Sequence, residues 1–474
     1  MTRTNWDVIV IGAGAAGENA ADRAVQGGLS TVIIESELVG GECSYWACMP
    51  SKALIRSGLA LRAAKSVGGA REAVTGGLDV AAVFARRDKF TSNWKDDGQV
   101  SWLESAGIDL LRGRGRLTGE KAVRVTAADG SSLEITANHA VVVSTGSAAL
   151  LPDIPGLAEA RPWTSREATS APSAPDSLLI IGGGVVGTEM ATAYASFGTR
   201  VTLVTRGGLL GALEPFAGEL VATGLEALGV TILSGVSPTL TRRSDDDVVL
   251  ELDDGSEVSA SELLVATGRT PVTGDIGLDS IGLTPGDWIQ VDDTMRASGF
   301  DWLYAVGDVT HRALLTHQGK YQARACGDVI AARATGAPVH DEAWGAHVAT
   351  ADHAAVPQVT FSDPEVASVG LTAAAAEKAG HRIRVVDYEL GQIAGASLHA
   401  DRYRGRARMV VDESRRVLLG ATFVGPDVAE LLHAATIAVV GEVAIDRLWH
   451  AVPAYPTMSE IWLRLLEEYG RPSA

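Results

Sequence analysis

Two cysteines, Cys43 and Cys48, stand five positions apart in Gly40-Gly41-Glu42-Cys43-Ser44-Tyr45-Trp46-Ala47-Cys48-Met49-Pro50-Ser51-Lys52. Thiols this close in sequence close a small disulfide ring, and a strained, accessible ring is labile, which suits electron transfer better than structural bracing. A zinc ribbon would require a second Cys or His pair at matching spacing; none follows, and no metal site is expected. Two reduced thiols that merely pack are the plain alternative, but they leave the flanking Gly-Gly and Pro-Ser-Lys without a purpose. The chemistry indicated is that of a redox enzyme. A third cysteine, Cys326, lies in a helical-looking stretch and reads as inert packing.

A redox dithiol needs an electron source, and the elements around it indicate one. Asp7-Val8-Ile9-Val10-Ile11 is a short apolar run of the kind buried on both faces of a sheet. It runs into Gly12-Ala13-Gly14-Ala15-Ala16-Gly17, a helix from Glu18 to Gln26, and a strand, Thr31-Val32-Ile33-Ile34, ending at Glu35. Gly12 permits the tight turn, Gly14 the close approach of backbone to a pyrophosphate, and Gly17 the packing of helix on strand; Glu35 is placed for ribose hydroxyls. The unit recurs as Ser177-Leu178-Leu179-Ile180-Ile181, then Gly182-Gly183-Gly184-Val185-Val186-Gly187, a helix, and Arg200-Val201-Thr202-Leu203-Val204. Two dinucleotide sites in one chain are what a flavin-plus-nicotinamide enzyme requires. At the end of this second unit Thr205 replaces the ribose-binding acid and Arg206 follows, which favours the 2′-phosphate of NADPH; a solvated surface Arg is the alternative.

Two further strands end in glycine corners, Val141-Val142-Val143-Ser144-Thr145-Gly146 (with Ser147 next) and Leu263-Leu264-Val265-Ala266-Thr267-Gly268-Arg269. Such corners suit chain crossings beside a cofactor or plain turns. Trp302-Leu303-Tyr304-Ala305-Val306 ends in Gly307-Asp308, a carboxylate at the strand end where ligands gather in open α/β sheets. A Ser/Ala/Pro-rich stretch, 169–176, is a candidate linker. From about Gln358 the pattern changes to antiparallel strands near 357–361, 382–386 and 407–411, then apolar helices over 428–440 and 461–468, an α+β region.

With 474 residues the chain accommodates several domains, and a net charge of −18 argues against nucleic acid and anionic membrane as partners. No apolar signal core opens Met1 to Asp7 and no run is long enough to span a bilayer, so a soluble, cytoplasmic protein is expected; three cysteines fit a reducing compartment.

Taken together and in order, these residues resemble the pyridine nucleotide-disulfide oxidoreductases, the family of dihydrolipoamide dehydrogenase, glutathione reductase and mercuric reductase. The resemblance implies an α/β fold of two Rossmann-like domains plus a C-terminal α+β dimerisation domain. It places FAD binding at 1–150 and 275–345, NAD(P)H binding at 151–274, and the interface of a homodimer at 346–474. It implies that Gly12, Gly14, Gly17, Glu35, Lys52, Gly115, Thr145, Gly146, Ser147 and Asp308 hold FAD, with Leu314 to His317 backing it. Gly182, Gly184, Gly187 and Glu189, with Thr205, Arg206 and Gly268, fall on the NADPH site, NADH being the alternative. Lys52 and Glu189 match a Lys–Glu pair beside the flavin, Cys48 the thiolate next to it, and Cys43 the interchange thiol that meets the substrate.

The chain departs from the family at its C-terminal segment. Disulfide reductases there carry His-Pro-Thr-x-x-Glu; this sequence reads Tyr455-Pro456-Thr457-Met458-Ser459-Glu460. Glu460 remains, but a phenol of ordinary pKa near ~10 is a poor base at neutral pH. His450 substitutes only if the loop differs. Mercuric reductases carry Tyr in this segment together with a terminal cysteine pair, whereas the sequence here runs Tyr469-Gly470-Arg471-Pro472-Ser473-Ala474. The expectation is an FAD-dependent NAD(P)H oxidoreductase that passes electrons through Cys43 and Cys48 to a small-molecule acceptor of disulfide type. Direct reduction of a quinone, soft metal or electrophile is the alternative, and a redox-sensing or complex-subunit flavoprotein the third.

Overall fold

The structure, a computed structural model, describes residues 3–244 and 247–471; Met1, Thr2 and the terminal Pro472–Ala474 of the sequence lie outside it. The chain divides into two compact units. The first comprises residues 1–50, 88–149 and 269–352, the second 51–87, 150–268 and 353–474.

In the first unit Asn5–Ile11 forms the centre of a sheet, parallel to Thr31–Glu35 on one side and to Ser132–Val143 on the other. Asp109–Arg112 extends it beyond Thr31–Glu35, and Leu303–Ala305 pairs in parallel with the end of Ser132–Val143. Val8, Ile9, Val10, Val141, Val142 and Leu303 are buried on both faces, which explains the unbroken apolar runs. Helices Ala15–Gln26 and Thr316–Thr335 cover the sheet and approach closely through small residues. A methyl added to Gly327 would lie 2.8 Å from the Ala20 carbonyl oxygen, so glycine is required for the contact. Cys326 is fully buried there, and burial pushes its thiol up, as expected of packing.

The second unit holds a four-stranded parallel sheet in the order Thr231–Ser234, Arg200–Thr205, Ser177–Ile181, Glu262–Val265. A five-stranded antiparallel sheet is formed by Pro357–Thr360, Glu365–Gly370, Val417–Gly425, Arg406–Asp412 and Ile383–Glu389. Two of these, Glu365–Gly370 and Val417–Gly425, lacked a readable sequence pattern; the latter is buried at every position, so no alternation marks it. The apolar stretch 428–440 divides into a 3₁₀ turn, Val428–Leu431, and the helix Leu432–Val440; the last helix is Ile461–Tyr469. The stretch 169–176 lies within the second unit, where the buried Arg87 guanidinium donates to the carbonyls of Thr169 and Ala171. Among the described residues no helix is long and apolar enough to cross a membrane.

Candidate functional site

The short helix Gly41–Tyr45 carries Cys43, and Cys48 opens the helix Cys48–Lys65. Both cysteines are half-buried. Cys48 Sγ lies 3.3 Å from Thr316 Oγ1. The Cys43 thiol is pushed up, first by its hydrogen bond to Cys48 and then by burial, with Thr316 and Lys320 pulling the other way. The hydrogen bond between the two sulfurs, together with burial, thus disfavours a charge on Cys43.

Around the first fingerprint the backbone is fixed by glycine. A Cβ on Gly12 would stand 2.4 Å from Ser144 O, and one on Gly17 2.0 Å from Gly12 O, whereas a Cβ on Gly14 meets nothing within 4 Å. Gly14 caps Ala15–Gln26 with no side chain at the helix N-terminus, leaving its N–H groups to an anion. Glu35 accepts from Ala13 N at 2.8 Å and from Glu37 N at 2.7 Å. Gly115 lies against Ile11 and Ile34, with no room for a side chain. At the next strand end, Gly146 accepts from Val272 N, and Thr145 Oγ1 is buried without a hydrogen-bond partner. Ser147 Oγ donates to Asp308 Oδ2 at 2.5 Å. Leu314 lies in the loop before Thr316–Thr335, whose second residue is the exposed His317. An uncapped helix end, an open Gly14 and an orphaned hydroxyl fit a bound dinucleotide, and these residues would hold FAD.

The second unit repeats this geometry. A Cβ on Gly182 would lie 2.3 Å from Ala266 O and one on Gly187 2.0 Å from Gly182 O, while Gly184 again faces open space and caps Val185–Ser196 without a side chain. Thr205 is buried; Arg206 is exposed and forms no ion pair among the described residues. Gly268, at φ +146°, accepts from Leu150 N. Gly187→Ala is expected to abolish pyridine-nucleotide binding by forcing backbone off backbone, while FAD stays bound; titration of the nucleotide against the flavin spectrum reads both.

Lys52 and Glu189 pair as expected, Nζ to Oε2 at 2.7 Å. Glu189 also accepts from Phe361 N at 3.0 Å, and the Phe361 ring lies 5.1 Å from Lys52 Nζ. Glu460 is buried and accepts from Gly395 N at 3.0 Å, whereas Tyr455 is 77% exposed and His450 is exposed as well. Two contributors escaped the sequence reading, Phe361 and Arg269. Thr316, inside the 314–317 stretch expected to back the flavin, touches Cys48, and Phe361 closes the Lys52–Glu189 pair. Arg269 donates to Ser147 Oγ at 2.5 Å and to its carbonyl at 2.6 Å. Arg269 follows a corner glycine, the one signal that could have marked it.

With this geometry in hand, the comparisons agree with one another. Residues 6–333 match the family model described as pyridine nucleotide-disulphide oxidoreductase, and residues 356–465 match that family's dimerisation domain. A dihydrolipoyl dehydrogenase of Haloferax volcanii is 31% identical, with 98% of this chain and 96% of that one aligned. A mercuric reductase of Streptomyces lividans is 30% identical over 97% of this chain and 95% of its own. The fold also matches the Cu(II) complex of the HOCl-induced flavoprotein disulfide reductase RclA from Escherichia coli, with a TM-score of 0.83 at 23% identity, covering 98% of this chain and 99% of that one.

Proposed function

This chain belongs to the pyridine nucleotide-disulphide oxidoreductase family, and on that premise we propose that it uses NADPH to reduce a small disulfide through Cys43 and Cys48. The observation that carries the reading is the thiol pair itself: Cys43 hydrogen-bonded to Cys48, with Thr316 on the Cys48 sulfur. FAD, when bound, supplies the two-electron relay between pyridine nucleotide and protein sulfur. Cys43 attacks one sulfur of the acceptor and Cys48 then displaces the mixed disulfide, which releases the second thiol and leaves the Cys43–Cys48 disulfide. Lys52, held by Glu189, contributes a positive charge on the helix that Cys48 begins. The division into FAD, NAD(P)H and interface regions at 1–150 with 275–345, 151–274 and 346–474 belongs to this reading.

The exposed Arg206 and the absence of a carboxylate at Thr205 support NADPH over NADH. Arg206→Glu is expected to lower kcat/KM for NADPH by at least ~10-fold and to leave NADH nearly untouched, since a charge-assisted contact to phosphate is lost. A homodimer is supported by the match to the dimerisation domain and by Leu398, Ile437, Val452 and Tyr455, apolar or aromatic side chains exposed within it. The test of the whole reading is anaerobic NADPH titration with thiol counting: two new thiols per chain are expected, and none would sink it.

Tyr455, exposed where an imidazole is expected, favours a second reading. A quinone or soft metal ion needs no protonated thiol leaving group, and the likeness to a mercuric reductase supports this class. Undiminished quinone turnover in a Cys43→Ser/Cys48→Ser protein would select it.

A further inference from the structure

Three successive residues that carry a Cβ, Ser92, Asn93 and Trp94, stand in the left-handed region, at φ +51°, +52° and +53°. Two backbone bonds close this turn, from Trp94 N to Thr91 O at 2.8 Å and from Lys95 N to Ser92 O at 3.2 Å. Left-handed backbone crowds the Cβ of an L-residue against the following carbonyl, so single residues visit it and runs of three are rare. Ser92 and Asn93 are exposed, and burial of their side chains does not offset that cost. Such a conformation persists where surrounding contacts over-determine it. Here Trp94, Lys95 and Asp96 supply the contacts, and they fall on the two flanks of Cys43.

Cys43 rides on Gly41–Tyr45, a helix of five residues and too short to hold its own shape. On its C-terminal side Trp94 Nε1 donates to the Tyr45 carbonyl at 3.2 Å, one of the carbonyls that a helix end leaves without an internal partner. The buried Tyr45 hydroxyl donates to Val39 O at 3.1 Å, with Lys95 O at 3.4 Å as its second acceptor. On the N-terminal side Asp96 Oδ2 accepts from Val39 N at 2.8 Å. Arg112 fixes that carboxylate, donating to it at 2.6 Å and to Glu37 O at 2.9 Å. Positions 39 and 45 bracket Cys43, and one strained turn grips both.

We propose that residues 92–96 form a clamp that presets Cys43 for ring closure with Cys48, with Trp94 its positioning residue, and so set the reduction potential of the pair. This deepens the disulfide reading above: it rests on Cys43 and Cys48 cycling between dithiol and disulfide, but on no particular acceptor. In the disulfide the covalent bond itself orders the residues between the cysteines. In the dithiol the clamp supplies that order, so less conformational freedom is lost when the ring closes. Weakening the clamp makes closure less favourable. The disulfide then becomes the stronger oxidant, and a mixed disulfide on Cys43 waits longer for Cys48.

The test equilibrates the FAD-loaded protein, without oxygen, in thiol–disulfide buffers, with glutathione at the oxidising end and dithiothreitol at the reducing end. Acid quench, alkylation and intact mass then give the fraction closed. The exchange balances: the buffer's S–S bond breaks, the Cys43–Cys48 bond forms, and two electrons and two protons pass from the dithiol to the two buffer sulfurs. Trp94→Phe keeps a ring but lacks the N–H. It is expected to lower the closure constant by ~10-fold, which is about 30 mV upward for a two-electron couple, and to raise the share of glutathione adduct. Asn93→Gly accepts the left-handed φ and should keep the wild-type midpoint, whereas the β-branched Asn93→Val should move it as Trp94→Phe does. Trp102→Phe, at a residue 40% exposed on the following helix Asp97–Ala106, should leave it in place. A midpoint that Trp94→Phe leaves unmoved, or shifts toward more reducing buffers, or that Trp102→Phe shifts as far, overturns the clamp alone. A wild-type pair that closes in no buffer overturns the disulfide reading, and the clamp falls with it.

Discussion

Cys43→Ser is expected to reduce NADPH-dependent turnover of a small disulfide by ~10³-fold or more while reduction of an artificial dye continues. The hydroxyl cannot form the mixed disulfide on which the exchange depends, Cys48 has then no partner thiol with which to close a disulfide, and Cys326 is fully buried, with its proton held by that burial. Cys48→Ser has a different consequence. Cys43 still attacks, but nothing displaces the product, so the protein should retain one equivalent of acceptor as a stable adduct visible in the intact mass. The pair of results distinguishes the roles of the two sulfurs. Equal loss of dye and disulfide activity in Cys43→Ser would mean that the substitution damaged the fold or the nucleotide sites, and the assignment of Cys43 would fall.

The parts of this site legible in the sequence are those written within a few residues. Cys43, Cys48 and Lys52 share one stretch, and each fingerprint places its glycines, helix start and following strand within about thirty residues, so local spacing alone specifies them. What stayed hidden depends on pairing across the chain. Arg269 reaches Ser147 because its strand, Arg269–Pro271, runs antiparallel to Ser147–Ala149, and nothing local encodes that register. Thr316 reaches Cys48 from 268 positions away, and nothing local to Cys48 encodes that contact. The Lys52–Glu189 pair was found from the family pattern, but Phe361, which completes it, sits at the end of a strand with no polar signature.

That pair yields the second large expectation. Glu189 is nearly inaccessible and accepts from both Lys52 Nζ and Phe361 N, whereas Lys52 keeps part of its side chain in water. Glu189→Ala removes both acceptor contacts, strands the Phe361 N–H and leaves Lys52 without its counter-charge. Loss of the buried partner is expected to cost about 2–3 kcal/mol, below the full value for a wholly buried pair because Lys52 retains solvent. Lys52→Met is expected to cost less alone, since the Glu189 carboxylate keeps Phe361 N. If the ion pair itself is the source of the effect, the Glu189→Ala/Lys52→Met protein should be more stable than the sum of its single variants predicts, by at least ~1 kcal/mol, because neither charge is then left alone. Chemical denaturation of the four proteins supplies the cycle. Additivity would show that the two side chains act separately, Glu189 as an anchor for Phe361 and Lys52 as a free charge on the helix of Cys48, and the electrostatic link between that helix and Val185–Ser196 would have to be given up.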